Sequence, residues 1–180
     1  MQAQVRSLPA QVPHGLRDGD LVFRRSPDLS TWVIGAQREG SRFTHVGVVV
    51  LAAGAAHVVH AVPPAGGERA DRGVRVDTLA AFIAPAHATD HGYYRPRGLD
   101  AAQRQVVREY VLAQRGKAFD ERFRYSDDAR MYCTEIVLKA FSHAGLTAER
   151  DVPRVRVLLH DEGIPTPDDL RRWQGVVALR

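Results

Sequence analysis

The amino-acid sequence predicts an α+β domain in which an antiparallel sheet packs against a helix that begins at the single cysteine, Cys133. Valine-rich, strand-like segments crowd the first half of the chain, whereas two long helix patterns lie in the second half. Strands grouped ahead of helices are typical of α+β domains. The length of 180 residues suits one domain. We therefore expect residues 1–180 to form a single domain, with residues 1–17 as a loose N-terminal arm.

The strand predictions rest on short β-branched or aromatic runs bounded by turn residues. Gly19 and Asp20 mark a turn into a short buried strand, and a later valine-rich strand returns through a hairpin turn centred on Gly54. Glycine, proline and charged residues predict a surface loop over residues 63–73. The predicted strands are residues 21–23, 44–51, 57–62, 74–76 and 92–95.

Capping residues and apolar residues at helical spacing predict the helices. Asp100 caps a helix that ends near residue 114, with Gly116 as its stop, and a second helix runs from Cys133 to residue 144, closed by Gly145. Asp77 is a candidate cap for a short helix through residue 82. Further helices are predicted over residues 28–39 and from residue 166, and an aromatic and charged loop is predicted over residues 117–130.

Composition and charge exclude several classes of function. The formal net charge is +4 and the pI is about 9.6, but the basic residues are scattered arginines, so nucleic-acid binding is not expected. No run of 18 apolar residues is present, which argues against stable membrane insertion. The first residues show no signal-peptide pattern. No Gly-rich phosphate loop or other cofactor motif is found, so no cofactor is expected.

Cys133 is the first candidate for chemistry because it opens an apolar helix. A cysteine at a helix N-terminus faces unsatisfied N–H groups and the positive end of the helix dipole, and both effects lower the pKa of the thiol. The same N–H groups can stabilise an oxyanion. The alternative interpretation is that Cys133 is a small apolar core residue. Position alone does not decide between the two.

His45 is the candidate general base, because it begins a valine-rich strand and a histidine pKa lies near neutrality. His60 lies on the next strand, and pairing around Gly54 places it where it can hold one ring nitrogen of His45. His57 competes for that position. It is three residues from His60, so the two point to opposite faces of the strand and only one of them should face His45. The alternative to a catalytic role is that these are solvated histidines on strands, bonded to water.

A zinc site is the rival use of one cysteine and two histidines. The sequence contains no compact ligand pair such as His-x-x-x-His or Cys-x-x-Cys, so no metal site is expected.

Five short motifs, in this order, resemble the circularly permuted NlpC-type papain-like proteins, and most closely the YiiX/YaeF-like group, which is related to the lecithin retinol acyltransferase branch. They are GDLVF at 19–23, THVGV at 44–48, VVHA at 58–61, GKAFD at 116–120 and YCTEIV at 132–137. TPDDL at 166–170 is also similar to that group. The resemblance covers roughly residues 18–145 and implies a papain-like core in which the histidine strand precedes the cysteine helix.

The resemblance also assigns roles to residues. It implies Cys133 as nucleophile, His45 as base and His60 as the third polar residue, although many YiiX-like sequences have glutamate in place of His60. Tyr132 and Thr44 belong to these motifs next to the nucleophile and the base, and we expect them to line the substrate pocket. Asp120 has a structural interpretation, as the anchor of a loop.

The predicted function is a cysteine amidase or peptidase acting on peptide amides of the cell-wall type. The resemblance suggests an extracytoplasmic or cell-envelope location, and a small peptide or acyl substrate as partner. A lipid-directed acyl hydrolase or acyltransferase is the first alternative, and a catalytically silent binding domain is the second. The sequence makes no prediction of oligomeric state.

Overall fold

The computed structural model describes residues 11–27, 41–63, 73–156 and 162–180. Their central feature is a six-stranded antiparallel sheet with the strand order β4-β3-β2-β1-β5-β8. Its strands are β1 (Leu21–Arg25), β2 (His45–Ala52), β3 (Ala55–Val62), β4 (Gly73–Thr78), β5 (Asp90–Pro96) and β8 (Val176–Ala178). A separate parallel pair is formed by β6 (Ala118–Phe119) and β7 (Arg130–Met131). The helices are α1 (Leu79–Phe82), α2 (Ala101–Ala113), α3 (Cys133–His143), α4 (Ala148–Asp151) and α5 (Pro167–Arg172).

The predicted α+β class with an antiparallel sheet is confirmed. The hairpin between β2 and β3 turns at Gly54, whose φ of 78° is a left-handed conformation that favours glycine. Strands β6, β7 and β8 were not predicted, because two or three residues carry too little periodicity to be recognised. The predicted helix over residues 28–39 lies outside the described residues, as does most of the predicted loop after Pro63. Residues 11–17 of the predicted arm form no helix or strand.

The short helix α1 corrects one prediction. Its N-cap is Thr78, whose hydroxyl accepts a hydrogen bond from the Ala81 N–H at 3.2 Å. Asp77 is not the cap but the penultimate residue of β4, a strand that continues beyond the predicted segment through Thr78. The sequence prediction ended that strand too early because the segment that follows Val76 is polar.

The two faces of the sheet pack against different elements. Val46, Val48 and Val50 of β2 belong to the main core, together with the apolar face of α3. The intervening Val49 packs in a smaller core with Phe82 of α1 on the opposite face. This alternation follows from the two-residue period of a strand. The N-terminus of α3 therefore lies near the beginning of β2, where both layers end.

Candidate active site

The first turn of α3 is held in place by buried polar contacts. The backbone N–H of Tyr132, the N-cap, donates to the Glu135 carboxylate at 3.1 Å. The Thr134 hydroxyl donates to the Pro165 carbonyl at 2.7 Å, which ties the helix to the segment ahead of α5. Thr134 and Glu135 are both buried. Because these bonds fix the first turn at both sides, the position of Cys133 is set by the fold rather than by a loop.

The Cys133 sulfur experiences two opposing effects. Burial raises the pKa of the thiol to about 11, although the backbone N–H groups of Val46 and Thr134 face the sulfur and act in the opposite direction. Cys133 retains some solvent exposure, but protein atoms surround its side chain closely. The lowered pKa predicted from the helix N-terminus is therefore wrong for the resting protein. The loss of hydration outweighs the N–H groups, and the resting group is a neutral thiol.

His45 is the first residue of β2 and is buried beside this thiol-bearing turn. Its Nε2 lies 2.8 Å from Nδ1 of His60. Burial holds the pKa of His45 well below 6.5, and the positive charges of Arg24 and Arg75 act in the same direction. A neutral imidazole whose Nε2 is occupied by His60 has only Nδ1 left to take a proton.

The structure brings His60, and not His57, to His45. His60 is fully buried, and burial lowers its pKa to about 4. The His57 ring is only partly buried and lies 3.3 Å from the Ala55 carbonyl. The two-residue period of β3 accounts for the difference, as the sequence predicted.

Phe82 of α1 forms an apolar platform for both histidines. Its ring stacks on His45 with centroids 5.7 Å apart and meets the edge of His60 at 4.9 Å. The Arg24 guanidinium lies 4.5 Å from the centroid of the same ring, and its Nη1 donates to the Phe82 carbonyl at 2.9 Å. The short helix therefore restricts the orientation of both imidazoles and holds a cation beside them.

Sequence reasoning missed Asp77 as part of this cluster. Its Oδ2 lies 2.9 Å from Nε2 of His60 and also accepts from Nη2 of Arg75 at 2.7 Å. Although burial opposes the change, hydrogen bonds from His60 and Arg75 lower the pKa of Asp77 to about 2. The signal that would have found it is the length of β4, since one more residue of strand moves Asp77 from a helix cap to the sheet.

Cys133 and His45 line one narrow cleft of about 30 Å³. Tyr132 and Thr44, the two predicted pocket residues, also line it. The Thr44 hydroxyl accepts from the Ser26 N–H at 2.8 Å, so it also anchors the end of β1. The remaining lining is mainly aromatic, aliphatic and proline side chains: Pro63, Phe119, Phe123, Ile164, Pro165 and Pro167.

Asp120 anchors the loop that follows β6, as predicted. Its carboxylate accepts hydrogen bonds from the backbone N–H groups of Arg122 and Arg124. This loop carries Phe123 to the cleft.

Comparison with known protein families decides the family of the chain. Residues 15–161 match the model of a family described as permuted papain-like amidase enzyme, YaeF/YiiX, C92 family. The chain belongs to the permuted papain-like amidases of the C92 family. The predicted resemblance is thereby confirmed, and with it a cysteine amidase or peptidase at the level of the family.

A solved structure supports the same fold for this C92 family member. The crystal structure of the metalloprotein yiiX from Escherichia coli O157:H7 superposes with a TM-score of 0.69 at 22% sequence identity, over 91% of this chain and 96% of that one. No curated protein matches the chain. The roles of Cys133, His45 and His60 in this amidase stay predictions, although the structure places all three together.

Two further properties of the amidase concern metals and membranes. Within the described ranges, no group of three or more His, Cys, Asp or Glu side chains is arranged to hold a metal ion. None of the helices in those ranges is long and apolar enough to cross a bilayer.

Proposed function

We propose that this chain is a cysteine amidase that cleaves short peptide amides of the cell-wall type, with Cys133 as nucleophile, His45 as general base and His60 as its orienting partner. The observation that carries the proposal is the shared cleft of Cys133 and His45, with His60 bonded to the ring nitrogen of His45 at 2.8 Å. A nucleophile, a base and a group that orients the base are the three parts that covalent acyl transfer requires.

The neutral resting state defines the first step. The Cys133 sulfur attacks the amide carbonyl while its proton moves to Nδ1 of His45, and backbone N–H groups of the first α3 turn stabilise the oxyanion. His45 then returns the proton to the amide nitrogen, the C–N bond breaks and the amine leaves. A water molecule then attacks the thioester carbonyl and gives a proton to His45. His45 returns this proton to the sulfur as the C–S bond breaks, which releases the acid and regenerates the free thiol.

The cleft supports a small substrate group beside the reacting carbonyl. The space beside Cys133 and His45 is narrow, with a volume of about 30 Å³ between the described residues. Its lining of aromatic rings and prolines favours an apolar group over a charged one. The choice of small peptide amides over long-chain acyl esters rests on the match to an amidase family, and peptides of the cell-wall type would place the enzyme in the cell envelope.

The yiiX neighbour is described as a metalloprotein, and this raises the question of a metal in the present site. His45 and His60 are bonded to each other, and His60 is bonded to Asp77. These bonds leave only Nδ1 of His45 and the Cys133 sulfur as ligands, and the described residues hold no group of three or more such side chains arranged for a metal ion. The described site therefore does not fit a metal ion, and the proposed reaction contains no metal step.

The test is a side-by-side assay of the purified protein on muropeptides and on acyl-ester micelles. We expect peptide cleavage that is abolished in Cys133→Ser and lowered about 10²- to 10⁴-fold in His45→Ala, the usual contribution of a general base. His57→Ala is the matched control on the same hairpin and should stay within about twofold, since its ring is partly exposed and bonded to the local Ala55 carbonyl.

Three outcomes would contradict the proposal. Release of fatty acid that depends on Cys133, without peptide cleavage, would assign the site to a lipid-directed acyl hydrolase. Activity lost on dialysis against a chelator but retained after thiol alkylation would assign it to a metal. Tight peptide binding without turnover would indicate a silent binding domain.

A further inference from the structure

The series of hydrogen bonds that begins at His45 continues beyond His60. The line of contacts runs from Nε2 of His45 to Nδ1 of His60 at 2.8 Å, and from Nε2 of His60 to Oδ2 of Asp77 at 2.9 Å. The same carboxylate oxygen accepts from Nε of Arg75 at 3.0 Å and from its Nη2 at 2.7 Å. Asp77 and Arg75 lie on β4, the strand next to β3 at the edge of the described sheet.

The direction of every proton in this line follows from Asp77. An ionised carboxylate can only accept hydrogen bonds, so Nε2 of His60 must carry a proton. A neutral imidazole has one N–H, so Nδ1 of His60 is an acceptor, and Nε2 of His45 must donate to it. Nδ1 of His45 then carries the lone pair. This is the only arrangement of neutral rings that leaves His45 able to accept the thiol proton.

We propose that Asp77 is a positioning residue that sets the tautomer of His60 and, through it, that of His45. The inference rests on the proposed function, because the tautomer matters for catalysis only if His45 is the base. Asp77 touches neither the thiol nor the cleft lining and acts entirely through His60.

The surrounding charges explain why Asp77 orients His60 without protonating it. The charged and titratable groups that act on the two rings are Arg24 of β1, Arg75 and Asp77 of β4, and, for His45, the ring of His60 itself. Burial and the two arginines keep both imidazoles neutral, whereas Asp77 alone favours the charged form of His60. A protonated His60 would donate through Nδ1, reverse the tautomer of His45 and remove the base.

Long-range ¹H–¹⁵N spectra of the histidine-labelled protein observe the tautomers directly, with the signals assigned through His45→Gln and His60→Gln. In the wild type at pH 7 we expect the Nε2–H form for both rings. Asp77→Ala should convert His60 to a mixture of tautomers or to the Nδ1–H form. The matched control is Asp18→Asn, which removes another partly buried aspartate bonded to an arginine, Arg108, but to no histidine.

Kinetics with two variants of Asp77 separate tautomer from charge. In Asp77→Asn the amide oxygen faces the Arg75 donors and still accepts from His60, so the tautomer is kept and only the charge is lost. We expect kcat/KM to fall about tenfold or less in Asp77→Asn and about 100-fold in Asp77→Ala, a share of the usual effect of a general base. In Asp77→Asn the acid limb of the pH profile should move to lower pH, which a merely structural defect would not cause.

The spectra test the role of Asp77, whereas the activity assay tests the proposed function, so failure of one can be told from failure of the other. An Nδ1–H form of His60 in the wild type, or a His60 tautomer unchanged in Asp77→Ala, would overturn the role of Asp77 even if the enzyme cleaves peptides. Peptide cleavage that survives Cys133→Ser would overturn the proposed function, and the spectra would still decide the tautomers. If Asp77→Ala does not fold, an acid limb in Asp77→Asn that stays at its wild-type pH would count against the proposal.

Discussion

The Cys133 thiol shows how burial and local dipoles compete at one atom. The first-turn N–H groups favour the thiolate, but the surrounding protein removes water and raises the pKa to about 11. His45, the proposed base, is also uncharged, since burial holds its pKa well below 6.5. A neutral thiol beside a neutral imidazole therefore replaces the preformed ion pair that a helix N-terminus suggests.

This difference predicts the pH dependence of alkylation. Because only the thiolate reacts, the rate of iodoacetamide labelling in the folded protein should still be rising at pH 9, with its inflection above the value of roughly 8.5 of a free cysteine. The same protein in urea supplies the reference curve. Cys133 is the single cysteine, so Cys133→Ser reports background labelling. A folded-state inflection at or below the urea value would contradict the prediction.

The β2–β3 hairpin brings the two histidines together, and its packing leaves no room at Gly47. A Cβ built at Gly47 would lie 2.3 Å from Cγ1 of Val58 and 3.1 Å from Cβ of His60. Both neighbours belong to β3, which carries the partner of His45. The close approach of the two strands is therefore a condition for the bond between their imidazoles.

We predict that Gly47→Ala lowers both stability and catalysis. Overpacking should cost about 1–3 kcal/mol of unfolding free energy, and the displaced His60 should reduce kcat/KM of the folded enzyme. Gly54→Ala is the control, because Gly54 has open space around it but a φ of +78°, so strain of about 1–2 kcal/mol affects stability alone. Thermal unfolding and peptide cleavage would be measured on both variants. Equal kcat/KM values for Gly47→Ala and wild type would contradict this account.

Folding of the whole molecule buries the two histidines in their neutral form, so the free energy of unfolding depends on pH. The pKa of His60 is about 4 in the folded protein and about 6.5 when unfolded. Above pH 6.5 both states are neutral, whereas between 6.5 and 4 the unfolded chain binds protons that the folded one does not. The contribution to stability is therefore complete above pH 6.5 and is lost as the pH falls to about 4.

Urea unfolding at pH 7, 5.5 and 4 tests this linkage. We expect the free energy of unfolding to decrease toward pH 4, with His60 accounting for on the order of 3 kcal/mol. His60→Gln should make the pH dependence shallower, whereas His57→Gln, which alters a partly exposed ring, should keep the wild-type slope. If the free energy of unfolding varies with pH equally in His60→Gln and wild type, His60 is not the source of the pH dependence.

Local patterns in the sequence were sufficient for the order of the longer strands and helices, the hairpin turn at Gly54, the cap at Asp100 and the placing of His57 and His60 on opposite faces of one strand. Each of these depends on neighbours within a few residues, or on the two-residue period of one strand. The pairing of Cys133 with His45 also came from the order of motifs, as a resemblance to a known family.

Other features were decided only by tertiary contacts. The β3–β4 register brings Asp77 to His60, and the C-terminal β8 joins β5 across about 80 residues of chain. The loop before α5 closes the cleft through Ile164 and Pro165. Burial of Cys133 reverses the expected direction of its pKa. The physical reason is common to these cases: contacts between distant segments and the removal of water depend on how elements pack, and no short stretch of sequence encodes either one.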